Sequence, residues 1–324
     1  MIRSLIALGC VVILFTGCGT KRQYFEPESV AGKVKYDQNL PAQIVDVSRH
    51  GATLENGQII TQKGIIETRL PKGFVFLGEY GDRYIATSKC GDIIIIDGSG
   101  NKIYSRTFKQ GIASASLQEN VLAIVDRSNQ LLLLDTQKDE IYFQSRQDTV
   151  YALDARIAAP YFLNSLVVFP TLDGKVVVVD KDTGRIIRDV VVSSEQFFNN
   201  VIFLDVVDDR MVVATSKRVI SINPNMTAFL DVDVKDVIVL KERVFVFTKD
   251  GRVLLTDSDL NILKERKFSF AVFSGVIHGE FIYMVEKNGF LIATDLDLRT
   301  VNIYGLPSKI DTMVYATHDT LFVG

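Results

Sequence analysis

The chain has 324 residues, 47% of them apolar and 23% charged, with a formal net charge of −3 at pH 7. That is an ordinary globular balance, long enough for one large all-β domain or two smaller ones, and it carries no electrostatic footprint for nucleic acid. Trp is absent and Phe numbers 20; with Val and Ile frequent, the mixture favours strands.

In chain order, the first predicted element is a secretory signal over residues 1–17. Arg3 supplies a short positive region, and Leu5 to Phe15 forms an apolar run of eleven residues. That run is short for a membrane span, which needs about 20, and suits a signal-peptide core. The segment closes on Thr16-Gly17-Cys18, which resembles a bacterial lipoprotein box. The resemblance implies cleavage before Cys18 and acylation of its thiol. Gly19, rather than Asp, follows the Cys, which by resemblance to enterobacterial sorting implies the outer membrane, facing the periplasm. A plain signal peptide or signal anchor is the alternative. Residues 18–28 read as a polar, lipidated tether, and residues 29–324 as a single domain. Of three cysteines, Cys10 leaves with the signal and Cys18 is acylated. Cys90 alone remains, so the mature chain has no internal disulfide framework. In "TSKCGD" it reads as a hairpin residue.

From residue 58 onward the chain repeats. An apolar run followed by a landmark polar residue recurs in "GDIIIIDGSGNKIYSRTF" at Asp97, "NQLLLLDTQKDEIYFQS" at Asp135, "GKVVVVDKDTGRIIRDV" at Asp180, "KRVISINPNMTAFLDV" at Asn223, "GRVLLTDSDLNILKERKF" at Asp257 and "GFLIATDLDLRTVNIYGL" at Asp295. The spacings are 38, 45, 43, 34 and 38 residues. A weaker copy, "GQIITQKGIIETRL", precedes them. Each copy orders a loose apolar strand, a dense one, a third ending at the landmark, and a more polar fourth. Four short strands per repeat of about 40 residues predict a β-propeller blade. Runs such as Val176 to Val179, apolar at every position, predict burial on both faces. The landmark and the residues after it, including Gly184, are predicted to form the hairpin between third and fourth strands, since Asp and Asn side chains bond nearby amides and Gly tolerates positive φ.

Seven copies of the third and fourth strands lie between residues 58 and 306. "KIDTMVYATHDTLFVG" then supplies only two strands, and "SVAGKVKYDQNL" near the start offers an outer strand to complete that half-unit. The prediction is therefore eight blades, closed by N- and C-terminal strands, with seven as the alternative.

The residues offer little chemistry. The three histidines, His50, His278 and His318, are isolated, and no zinc spacing, P-loop or G-x-S-x-G occurs. Ser99-Gly-Asn-Lys102 sits on a repeated hairpin. "DSDLN" from Asp257 imitates a calcium loop, but Ile262 and Phe268 stand where Gly and Glu are required. Asp208-Asp209 and the Asp231/Asp233 pair read as solvated loop charges. No catalytic residue, metal site or cofactor is predicted, and the chain is expected not to be an enzyme.

Asp180, Thr183 and Gly184 match the outer turn of pyrroloquinoline-quinone-type propeller repeats, with Arg188 where those carry Trp. "ARIAAPYFLNSLVVFPTLDGKVVVVDKDTG" and "DVDVKDVIVLKERVFVFTKDGRVLLTD", with the lipoprotein box, resemble the BamB family of outer-membrane assembly lipoproteins. The resemblance implies a non-catalytic, lipid-anchored scaffold that assists outer-membrane protein insertion. Its blade-connecting loops would dock the periplasmic domain of a BamA-type barrel. It places partner contacts at Leu153 and Arg156 and at Asp231 and Asp233, which an additional repeat, about 199 to 230, separates here. Phe197 and Phe198 in "SSEQFFNN" suit partner contact as exposed apolar loop residues, or equally a plug at the junction between blades. A propeller binding a glycan, peptide or metal, or a scaffold of another envelope complex, is the alternative.

Overall fold

The computed structural model describes residues 23–36 and 39–324; the signal segment and Cys18 lie outside them. All regular structure among the described residues is strand. Six sheets of four antiparallel strands follow one another along the chain, over residues 44–69, 74–107, 112–146, 161–191, 203–231 and 234–267. A seventh, over 273–305, takes the two residues Gly32–Lys33 as a fifth strand. We number these blades 1 to 7. In each, the first strand is innermost, and the innermost strands of neighbouring blades approach one another around a central channel.

The dense apolar strands explain the stacking. Successive side chains of a strand point to opposite faces. In blade 2, Ile93 and Ile95 pack forward against Leu122, Ile124 and Leu132 of blade 3. Ile94 and Ile96, with Phe76 of the same blade, pack backward against Ile59 of blade 1. Leu131 and Leu133 of blade 3 repeat the step onto Phe169, Val177 and Val179 of blade 4. Each fully buried Ile or Leu contributes roughly 1.5–3 kcal/mol, so the apolar clusters between successive blades hold the ring together.

The blade count corrects the expectation of eight: there are seven four-stranded blades. Residues Val314–Ala316 and Leu321–Val323 form a two-stranded hairpin lodged between the innermost strands of blades 7 and 1. The N-terminal strand does not complete it. Gly32–Lys33 pairs in parallel with Val301–Gly305, the outermost strand of blade 7, through Ala31 N–H to Ile303 O and Val34 N–H to Gly305 O at 2.7 and 2.8 Å. The reason is radial position. The hairpin lies at the channel, whereas the N-terminal segment meets a free edge at the rim.

Two kinds of turn define the two faces. On one face, each landmark residue closes the hairpin between third and fourth strands. Asp97 Oδ1 accepts from the amides of Ser99 and Asn101 at 2.9 and 2.8 Å, and Asp257 Oδ1 from Asp259 and Asn261, both at 2.9 Å. Asp135 and Asn223 cap in the same way. Asp180 Oδ1 takes the amide and hydroxyl of Thr183, with Gly184 at φ +66°. The carbonyls of the opposite turns clasp the chain as it leaves each blade. Gly57 O accepts from Leu70 N, Gly91 O from Phe108 N, Gly251 O from Phe268 N, and Gly289 O from Leu306 N, at 2.8–2.9 Å. At Gly251, φ is +83° and a Cβ would run into the Phe268 carbonyl, so glycine is required there.

The landmark carboxylates make stability depend on pH. Backbone amides from Arg299 and Thr300, outweighing a smaller effect of burial, draw the Asp295 carboxyl down to about 2. The unfolded chain then binds the proton more readily, so this contribution is present above pH ~4 and is lost as pH falls through ~2. Asp46, Asp205 and Glu286, raised chiefly by burial, act with the opposite sign at higher pH. Asp295→Asn is expected to melt below the parent at pH 7, with the gap closing between pH 4 and 2. Thermal unfolding across that range checks it, and a gap independent of pH would remove the carboxylate from the account.

Candidate interaction face

The face that carries the blade-to-blade connections also carries the candidate partner residues. The connection from blade 3 to blade 4, residues 147–160, is the longest, and its course is set by buried asparagines. Asn200, with no exposed surface, accepts from Asp154 N–H at 2.7 Å and donates to the carbonyls of Asp154 and Arg156 at 3.3 and 2.7 Å. Asn199 donates to Asp173 O and Ser193 O at 2.8 and 2.9 Å. Phe198 N–H donates to Ala152 O at 3.0 Å, and Ser216 Oγ–H to Phe198 O at 2.8 Å. The 147–160 and 192–202 connections are thus laced together across blades 4 and 5.

This lacing carries Arg156 past blades 4 and 5 to the edge of blade 6. Its guanidinium holds Asp154 through two bonds of 2.8 and 2.5 Å and reaches Val234 O of blade 6 at 3.5 Å. Burial would raise the Asp154 carboxyl, but Arg156 outweighs it and holds the group below the usual range. Burial, reinforced by Arg156, pushes the Lys235 ammonium down. Nη1 of Arg156 is enclosed without a protein acceptor. Asp231 and Asp233 lie one step away. Asp231 is bidentate to Arg218 at 2.5 and 3.0 Å, which lowers its carboxyl. Asp233 meets Lys217 at 2.5 Å. Both pairs rim an open polar pocket of about 380 Å³, walled on its other side by Ser193, Ser194 and Glu195.

Phe197 and Phe198 stand beside this pocket, each 51% exposed, and Tyr151 on the laced loop is 77% exposed. Leu153 points the other way, half-buried against the core between blades 3 and 4. The structure therefore joins Arg156, Asp231, Asp233, Phe197 and Phe198 on one face, with Leu153 beneath. Sequence reasoning missed Asn199, Asn200 and Tyr151. The adjacent Asn pair in "FFNN" was the signal for the first two.

The other singled-out residues lie elsewhere. Cys90 is exposed on the blade 2 turn. Arg49 spans the central channel, bonding Asp236 at 2.7 Å and lying 4.5 Å from the Phe203 ring centroid. His50 follows it; its surface is exposed toward the channel, but the protein mass around it, with Arg49, pushes its imidazole down to about 4. His318 Nδ1 lies 2.8 Å from His278 O. Among the described residues no group of three His, Cys, Asp or Glu is placed to hold a metal.

Fold and turns together define a β-propeller of quinoprotein-type repeats. The family model described as "Outer membrane protein assembly factor BamB" matches residues 46–301, and the chain belongs to that family. Among solved structures, BamB from Moraxella catarrhalis is similar, with a TM-score of 0.69 at 15% identity over 90% of this chain and 95% of that one. The designed protein Ika8 reaches 0.62 at 12% identity, with the same coverage. At such identities the likeness concerns the fold alone. Two curated relatives, each named plasminogen-binding protein PgbB, come from Helicobacter pylori strains 26695 and J99. Both are 28% identical over 95% of this chain. The chain spans 65% and 66% of their lengths.

Proposed function

We propose that this protein is a non-catalytic periplasmic scaffold, anchored in the outer membrane through an acylated Cys18. Its connection face docks a periplasmic domain of a BamA-type barrel and assists outer-membrane protein insertion. The observation that carries this reading is the convergence of Arg156 with the Asp231–Val234 segment beside exposed Phe197 and Phe198, in a chain of the BamB family. Exposed aromatics next to a guanidinium and carboxylates supply what interface hot spots use: large apolar area with directional polar partners. Leu153 holds the loop from below.

Crosslinking in cells and affinity capture of the tagged protein from solubilised membranes test this reading. The barrel should be enriched, and Arg156→Glu or Asp231→Arg should reduce it at least about tenfold, the range of a central interface charge. Exposed ion pairs are worth about 0–1 kcal/mol, so Asp231→Arg should melt near the parent. Absence of the barrel, or capture indifferent to both reversals, would overturn the assignment. Cys18→Ser should abolish palmitate labelling and move the protein to the soluble fraction. A second reading, that the propeller binds plasminogen, is supported by the name of the two Helicobacter relatives. Retention of the purified protein on immobilised plasminogen tests it.

A further inference from the structure

Charges on the connection face are distributed unequally. Over blades 4 to 6 most of its cations are paired: Arg156 with Asp154, Lys175 with Asp148, Lys217 with Asp233, Arg218 with Asp231, and Arg252 with Asp250, at 2.5–2.9 Å, while Lys267 is exposed without an ion pair among the described residues. From blade 7 through blade 1 to blade 3 the pattern reverses. Lys287, Lys309, Lys72, Lys89, Lys109 and Arg127 are exposed on the turns and connections of that arc. None makes a salt bridge or side-chain hydrogen bond among the described residues; Lys309 only lies 5.8 Å from the Tyr24 ring centroid. Backbone contacts bring Lys89, Lys109 and Arg127 together, and Lys287 and Lys309 together. Phe108 N–H bonds Gly91 O, Arg127 N–H bonds Gly111 O, and Ile310 N–H bonds Lys287 O. The Arg127 side chain lies over Gly111, close to Lys89 O. The arc's exposed acids are Glu55 and Asp311; Asp46 lies near Lys89 and Arg127, Asp92 and Asp126 are tied into their own turns, and Glu286 is buried.

The N-terminal segment leaves the body on this same face. Phe25, buried, wedges edge-on against Phe268 and Phe290 at 6.3 and 5.6 Å, between blades 6 and 7. Cys18 lies six positions before Tyr24, and six residues reach at most about 20 Å. An acyl chain on Cys18 would therefore hold this face close to the bilayer. That step rests on the acylation proposed above; the charge pattern does not. Phe270 and Val272, 52% and 49% exposed, flank the exit point and suit the boundary between headgroups and acyl chains.

We propose that the arc from blade 7 to blade 3 is a peripheral binding surface for an anionic phospholipid bilayer. It lays the connection face against the membrane while blades 4 to 6 remain for a protein partner. Each basic residue near an anionic surface is worth roughly fivefold in partitioning, and the attraction is screened by salt.

The test is flotation of the chain from residue 18 onward carrying Cys18→Ser, so that no acyl chain contributes. Vesicles are phosphatidylcholine alone or with about one third phosphatidylglycerol. Binding is expected to the anionic vesicles only, falling with added salt. The combined variant Lys72→Glu, Lys89→Glu, Lys109→Glu, Arg127→Glu should lose at least about tenfold in partitioning. The combined variant Lys102→Glu, Lys138→Glu, Arg185→Glu, Lys241→Glu makes the same charge change on the opposite face and should stay within about twofold of the parent. No binding to anionic vesicles, equal binding to both vesicle types, or equal loss in the two variants would overturn the proposal. Palmitate labelling at Cys18 reports separately on the anchor, so failure of one leaves the other standing.

Discussion

Tyr315→Ala is expected to lower the unfolding midpoint by roughly 5–10 °C, corresponding to about 3 kcal/mol in a domain of this size. Tyr315 is 6% exposed and packs with Ile44, Ala52, Leu54 and Ile60 of blade 1. Its hydroxyl accepts from Gln62 Nε2 at 2.9 Å, and burial pushes the phenol up to about 12. The residue belongs to the short hairpin that fills the ring between blades 7 and 1, and among the described residues no disulfide secures that closure. Truncation removes the ring that joins hairpin to blade 1 and leaves an apolar cavity. Loss of closure also frees the inner edge of blade 1, a hazard for edge pairing. Tyr315→Phe separates the contributions: it gives up only the Gln62 bond, about 1 kcal/mol. Thermal unfolding of both variants decides. If Tyr315→Ala melts with the parent, or the two variants fall equally, the hairpin does not close the ring through this side chain.

The repeat was legible because its physics is local. An apolar run buried on both faces, then an Asp whose carboxylate collects two or three amides, is written within a dozen residues at Ile93–Asn101, Leu254–Asn261 and Leu291–Thr300. The blade count was not legible, because a two-strand remnant reads alike whether or not another segment completes it. Gly32–Lys33 pairs through two residues in parallel, too few to leave a pattern, and its partner edge was chosen by radial position. The candidate face was legible residue by residue but not as a surface. Arg156 and Val234 lie 78 positions apart, with blades 4 and 5 complete between them. What joins them is an irregular loop whose path depends on side-chain hydrogen bonds rather than periodicity.

Asn200→Ala should therefore affect both stability and recognition. The substitution leaves the Asp154 amide and the Arg156 carbonyl without the partners that now lie at 2.7 Å in each case. Each orphaned buried group costs about 1–3 kcal/mol, so a loss of about 3 kcal/mol is expected. The contact-bearing segment Tyr151–Arg156 would lose the tie that carries its guanidinium across to blade 6. Partner capture should fall at least about tenfold although Asn200 is itself enclosed, since a disordered loop must be ordered again on binding. Arg156→Ala provides the contrast. Its side chain is 27% exposed, so capture should fall with a smaller stability change, although the half-buried Asp154 loses its main partner. Limited proteolysis reads the loop directly: cleavage within residues 147–160 should accelerate in Asn200→Ala and much less in Arg156→Ala. A loop equally resistant in all three proteins would show that Asn200 does not hold it. Faster cleavage with undiminished capture would show that the partner recognises another part of the face.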